Sequence, residues 1–173
     1  MKIPDKLVQF YVFDNDDLMV GVADLTLPDL NYMSETVKGA GIGGEIDLPI
    51  IGSLQSMTTT ITWRSLVEET AMFLEPKGHT FYAKGSVQEF DGKDHDYRQI
   101  PIKVTERVIP KNFKMGKMDP GTSIGSSSDF EVLYLKLEID GSTMYEIDKA
   151  NSIFYINGVD YLAAVRRTAG LSS

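Results

Sequence analysis

The stretch Asp129–Asp148, DFEVLYLKLEIDGSTMYEID, decides the fold class. Leu133, Leu135, Leu137 and Ile139 recur at every second position, which is the period of a strand. On the alternate positions Phe130, Val132 and Tyr134 give way to Lys136 and Glu138. Asp140-Gly141 then supplies a tight turn, and STMYEID returns as the second arm of a hairpin.

The same signal spreads outward in both directions. In SMTTTITWR (56–64), Met57, Ile61 and Trp63 fall on one face, and Thr58, Thr60, Thr62 and Arg64 on the other. HTFYAKGSVQEF (79–90) and DYRQIPIKVTERVI (96–109) flank DGKDH, so they predict a hairpin. In its second arm Ile100, Ile102, Val104 and Val108 alternate with Gln99, Lys103, Thr105 and Arg107. LVQFYVF (7–13), the turn DNDD and LMVGVADLTLP (18–28) read as a further hairpin, continued by LNYMSETVKG; NSIFYING (151–158) adds a last strand. Helix is expected twice. SLVEETAMFLEP (65–76) has Ser65 as cap, Glu68 three residues on, Pro76 as stop, and a stripe of Leu66, Val67, Thr70, Ala71 and Leu74. VDYLAAVRRTAG is a second short helix, with Leu162 and Val165 inward. KGAGIGGEIDLPIIGS (38–53) and PKNFKMGKMDPGTSIGSSSD (110–129) lack periodicity and are expected to be long loops. The expectation is one domain over residues 1–173, mainly antiparallel β, a sandwich or barrel with one packed helix and two long loops.

Composition narrows the function. Net charge is −8, with 25 acids against 17 bases, which disfavours stable nucleic-acid binding because phosphates need a basic surface. There is no cysteine, so disulfides, thiolate metal sites and cysteine nucleophiles drop out together. No window approaches the roughly 18 apolar residues of a membrane span, and MKIPDKLVQFYVF has no signal-peptide cleavage site. A protein without a membrane anchor, assembled in the cytoplasm, is expected.

Three motifs imitate chemistry. Gly39, Gly41 and Gly44 have dinucleotide-loop spacing, but EIDLP follows where a helix is required, so a flexible hairpin or hinge is the better reading. Asp91, Asp94, His95 and Asp96 crowd a hairpin tip, where turn dihedrals call for such residues anyway. DNDD resembles the start of a calcium loop without the glycine and acid that complete one. No serine has a base placed beside it, so no enzyme, metal or cofactor is expected.

The chain ends carry a resemblance. YEIDKANSIFYINGVDYLAAVRRTAGL (145–171) resembles the C-terminal signature of the major tail tube protein family of contractile-tailed bacteriophages, the FII type. The matching positions are Glu146, Ile147, Asp148, Asn151, Ile153, Asn157, Gly158, Val159, Asp160, Leu162, Arg166, Arg167, Gly170 and Leu171. GVADLTLPDL (21–30) and VKGAGIGGEIDLP (37–49) are similar to the same family's strand and glycine-bearing loop.

The resemblance implies a structural virion protein. Six subunits would close a ring, and rings would stack into the tube inside a contractile sheath. The tube would carry DNA to the host without binding it stably. The implied partners are other copies of the chain, the tail sheath, baseplate or tube-initiator proteins, the tape measure and the tail terminator. A phage-tail-like bacteriocin or another contractile injection system is the neighbouring alternative. A monomeric ligand-binding β-sandwich, with Tyr32, Tyr82, Tyr97 and Trp63 as a sugar platform, is the alternative from another class. On the leading reading Gly39, Gly41, Gly44, Ile46, Leu48 and Ile50 reach a neighbouring subunit. Lys111, Lys114 and Lys117 contact the next ring or the sheath, or else sit on a solvated loop. Thr58, Thr60 and Thr62 are lumen candidates. Arg166 and Arg167 either complement a helix end or pair with Glu146 or Asp148 of an adjacent subunit.

Overall fold

The structure, a computed structural model, describes residues 1–15 and 17–171. Its strands are β1 (Lys2–Asp14), β2 (Asp17–Leu18), β3 (Val22–Thr26), β4 (Tyr32–Lys38), β5 (Glu45–Leu54) and β6 (Thr58–Trp63). After helix α1 (Glu68–Met72) come β7 (His79–Asp91), β8 (Asp96–Lys114), β9 (Ser127–Ile139), β10 (Ser142–Asp148), β11 (Ile153–Ile156) and β12 (Val159–Asp160). Helix α2 (Ala163–Thr168) follows. The main sheet runs β12-β11-β10-β9-β8-β7-β1-β2, and every pairing in it is antiparallel.

Strand β9 holds the two layers together. Its first half, Ser127–Glu131, pairs with β6, which in turn pairs with β3. Its second half, Tyr134–Ile139, pairs with β10 instead. The switch falls where the register against β8 slips by one residue, between Arg107↔Tyr134 and Val108↔Val132. Leu133 is therefore an inserted bulge residue, and a one-residue slip exchanges the faces of a strand. Phe130 and Val132 point into the core before the bulge, and Leu135 does so after it. That accounts for a strand whose sequence is apolar on both alternations.

The core is aromatic. Trp63, Phe73, Phe81 and Phe130 are all buried; Phe73 lies 5.5 Å from Phe130 and 6.1 Å from Trp63 between ring centroids. The Trp63 indole nitrogen donates to Ser128 Oγ at 3.0 Å, so the polar tip of the largest core residue is satisfied. The alternation in β6 holds: Met57, Thr59, Ile61 and Trp63 face inward, and Thr58, Thr60 and Thr62 face out, half-buried.

Four expectations change. Helix α1 is one short turn-and-a-half capped at Val67, without Ser65. The backbone N–H groups of Trp63 and Arg64 are still bonded to Ser126 and Gly21 carbonyls, so the chain is tied to strand neighbours until Ser65. Thr70 and Phe73 face inward, whereas Ala71 and Leu74 are exposed. The hairpin expected over 7–28 stops after two register pairs, because β3 crosses over to pair with β6; Gly21 makes the turn with φ +91°. Part of the DNDD turn, Asp16, lies outside the described residues. Segment 38–53 is a loop only at its tip, since Glu45–Leu54 is strand. Likewise 110–114 continues β8 through a bulge between Pro110 and Asn112, leaving a loop at 115–126 that is closed by Lys117 N–H to the Ile124 carbonyl.

Candidate assembly interface

Strands β4 and β5 pair only with each other, as a two-stranded ribbon outside the main sheet. Its register sets Glu35 opposite Leu48, Thr36 opposite Asp47, Val37 opposite Ile46 and Lys38 opposite Glu45. Alternation then sorts the ribbon into two faces. One carries Ser34, Thr36, Lys38, Glu45 and Asp47, with Ser34 Oγ donating to Asp47 Oδ2 at 3.0 Å and Lys38 paired with Glu45. The other carries Met33, Val37, Ile46 and Leu48, with Glu35 its single charge. Ile50 extends the alternation beyond Pro49. These apolar side chains are 36–50 % exposed. Isolated two-stranded ribbons are marginal in water, so an amphipathic one with a bare apolar face is built to be covered. The tip is a glycine turn: Gly41 and Gly44 hold φ of +92° and +138°, and Gly39 accepts a bond from Ile42.

The base of the ribbon is gripped by the C-terminal segment. Gly52 has φ +66°, and a Cβ there would lie 2.6 Å from Leu162, so glycine lets Leu162 pack directly on the ribbon backbone. Tyr32 meets Phe154 edge-on at 5.9 Å. Gln55 N–H donates to the Asn31 carbonyl, and Lys149 Nζ to the Gln55 carbonyl.

Asp160 organises that grip. Its carboxylate accepts from the Leu162 backbone at 3.1 Å and from Arg166 Nη2 at 2.7 Å. The Arg166 hydrogen bond, with help from the Leu162 and Phe154 backbone, holds the Asp160 carboxyl below its usual range despite some desolvation. Arg166 Nη1 also donates to the Ser152 carbonyl, at a residue with φ +52°. The guanidinium fork is thus spent inside the chain, clamping α2 to β11 and β12. Arg167 is exposed and makes no ion pair among the described residues. Replacing Arg166 with alanine is expected to lower unfolding stability by about 2 kcal/mol in a urea titration, and Arg167→Ala by less than about 0.5.

The other expected site residues are dispersed. Glu146 Oε1 accepts from the Tyr134 hydroxyl at 2.8 Å. Asp148 caps the turn after β10 through Ala150 N, Asn151 N and Asn151 Nδ2. Lys111 Nζ bridges Ser56, Thr58 and Glu131, close to the ribbon base. Lys114 ends β8, and Lys117 sits in the 115–126 loop beside exposed Met115 and Met118. Thr60 Oγ1 donates to Asp129 Oδ1 at 2.7 Å, so the threonine row lies among carboxylates and lysines and not on a bare acidic strip. Val165, expected inward, is exposed, because α2 rests on the body through Leu162 and Arg166.

Sequence reading missed Met33, Val37, Gly52 and Asp160 as parts of this assembly. The signal was present for the first two, which alternate with Ser34 and Thr36. Gly52 and Asp160 act through contacts 110 residues apart in the chain and leave no local periodicity.

Known proteins share this organisation. The solved sheath/tube terminator of the extracellular contractile injection system PVC, in its extended state, superposes with a TM-score of 0.56 at 12% identity, over 78% of this chain and 96% of that one. At that identity the likeness is one of fold. The tail tube protein of Escherichia phage P2 is 30% identical over 181 aligned residues, covering 99% of this chain and all of the P2 protein. The family model described as phage tail tube protein FII matches residues 4–170, a span that takes in the ribbon and its C-terminal brace, and the chain belongs to that family.

Proposed function

We infer that this protein forms closed, six-membered rings that stack into the inner tube of a contractile phage tail, and that DNA passes through the bore during delivery. As a tail tube protein it is a component of the virion, and such proteins assemble into a tube. The observation that supports the finer reading is the ribbon: a braced, amphipathic projection whose apolar face has no partner in its own chain. Tube subunits need such projections, since ring closure and stacking are both heterologous contacts repeated by symmetry. The whole chain acts as one tail tube domain, and it carries out no catalysis. Six copies would carry −48 formal charges, which favours passage of DNA without adhesion. Arg167, the exposed member of the arginine pair, remains the group to meet Glu146 or Asp148 of a neighbour. Lys114 and Lys117 on the 115–126 side face the next ring or the sheath. Baseplate, tape-measure and terminator proteins would meet the ends of the tube. Negative-stain electron microscopy of the purified chain tests this: rings or tubes of uniform diameter are expected, and a monomer at millimolar concentration would overturn it.

A further inference from the structure

The main sheet is longer than the β3–β6 layer packed on it. Past the end of β3 its inner face is left open, and an apolar trough of ≈ 280 Å³ forms there between Leu7, Phe10, Leu25, Leu27, Val87 and Ile102. Leu7 and Leu27 are about half exposed. Gly85 deepens the trough, because a Cβ at that position would collide with Leu7 at 2.8 Å. Beyond Leu7 and Phe10 the trough opens into a second cleft, of ≈ 540 Å³, which is bordered by Arg64.

We propose that this trough is the seat for the β4–β5 ribbon of a second copy of the chain, in a head-to-tail arrangement. The proposal rests on the tube-forming reading and names the surface that receives the ribbon. Position decides against a contact within one chain. The ribbon rises against Phe154 and Leu162, on the β11 side, while the trough lies on β1, β7 and β8. Strands β11 and β7 are four pairings apart, roughly 19 Å at sheet spacing. A donor on one flank and an acceptor on the other cannot satisfy each other in a two-fold dimer that uses a single patch. They join copies in series and close when the rotation permits.

Chemistry selects the same pair. The ribbon offers Val37, Ile46 and Leu48 around a single charge, Glu35. The receiving surface offers aliphatic walls and a single neighbouring cation, Arg64. Neither Glu35 nor Arg64 has an ion-pair partner among the described residues. Seating the ribbon would cover both apolar surfaces and bring these two charges together.

The chain has no native cysteine, which makes cross-linking clean. The double variant Leu27→Cys with Leu48→Cys, assembled under oxidising conditions, is expected to give a covalent ladder extending to the full ring on non-reducing gels. Each single variant should stay uncross-linked. Wild-type tubes without any ladder from the double variant would overturn the docking while leaving the tube reading intact. A covalent dimer from Leu48→Cys alone would also overturn it, since that requires ribbon meeting ribbon. Failure of the wild-type chain to form rings or tubes would instead remove the reading on which the proposal stands.

Discussion

Removing the ribbon is expected to abolish tube growth while leaving a folded subunit. Tyr32 and Leu54 are register partners, so residues 33–53 can be replaced by Asn-Gly, the two-residue turn suited to bridging paired strands. The excised segment contributes nothing to the core: its large apolar residues are exposed, and Trp63, Phe73, Phe81 and Phe130 pack without it. Thermal unfolding of the shortened chain should therefore stay cooperative. Assembly is another matter. Burying Val37, Ile46 and Leu48 at a partner surface contributes about 1.5 kcal/mol or more per side chain, so losing three removes about 4 kcal/mol per contact. That corresponds to roughly a thousandfold rise in the concentration at which tubes appear. Sedimentation across a concentration series reads this directly. Tubes at the wild-type threshold would show that the ribbon is ornamental.

The ribbon also shows how far the sequence reaches. Ile46, Leu48 and Ile50 were legible as interface residues because a glycine-bearing loop resembled a known assembly element, yet the strand that carries them was hidden. Glycines at 39, 41, 43 and 44 and Pro49 break the composition expected of a strand, while the alternation from Glu45 onward is short. Strand pairing with β4, four intervening alternations long, overrides that local signal. The hairpins centred on Asp91-Gly92 and Asp140-Gly141 were legible in full, since both arms and the turn speak locally. The bulge at Leu133 was not. Its cause is the need of one strand to serve two sheets, and that is a tertiary demand. For Arg166 the residue was visible and its partner was not, because Asp160 reaches it only once β12 turns into α2.

Glu106 yields the second large effect, on stability. Its position was also visible in outline: the inward stripe Ile102, Val104 and Val108 skips residue 106, where a carboxylic acid stands. The side chain is fully buried, with Oε1 accepting from Thr59 Oγ1 at 2.9 Å and Oε2 without a partner. Desolvation outweighs the Thr59 hydrogen bond and pushes its pKa up to about 7. In the unfolded chain the group ionises near 4.5. The folded state thus holds its proton over a range where the unfolded state has released it. The stability this represents is complete below about pH 4.5, declines as pH rises towards 7, and is gone above that. A shift of this size amounts to about 3 kcal/mol across the window. Asp129 and Asp160 work in the opposite sense at lower pH: hydrogen bonds from Thr60 and Arg166 depress their pKa values, so their contribution fades as acid protonates them. The monomer should accordingly be most stable on the mildly acidic side of neutrality. Glu106→Gln keeps the shape and the acceptor for Thr59 but cannot ionise. Urea midpoints measured from pH 4.5 to 8 should fall for the wild type and stay nearly level for the variant, which becomes the more stable of the two above pH 7. Parallel profiles for both proteins would mean that Glu106 stays protonated, or stays charged, throughout, and the buried carboxyl would have no part in the pH response.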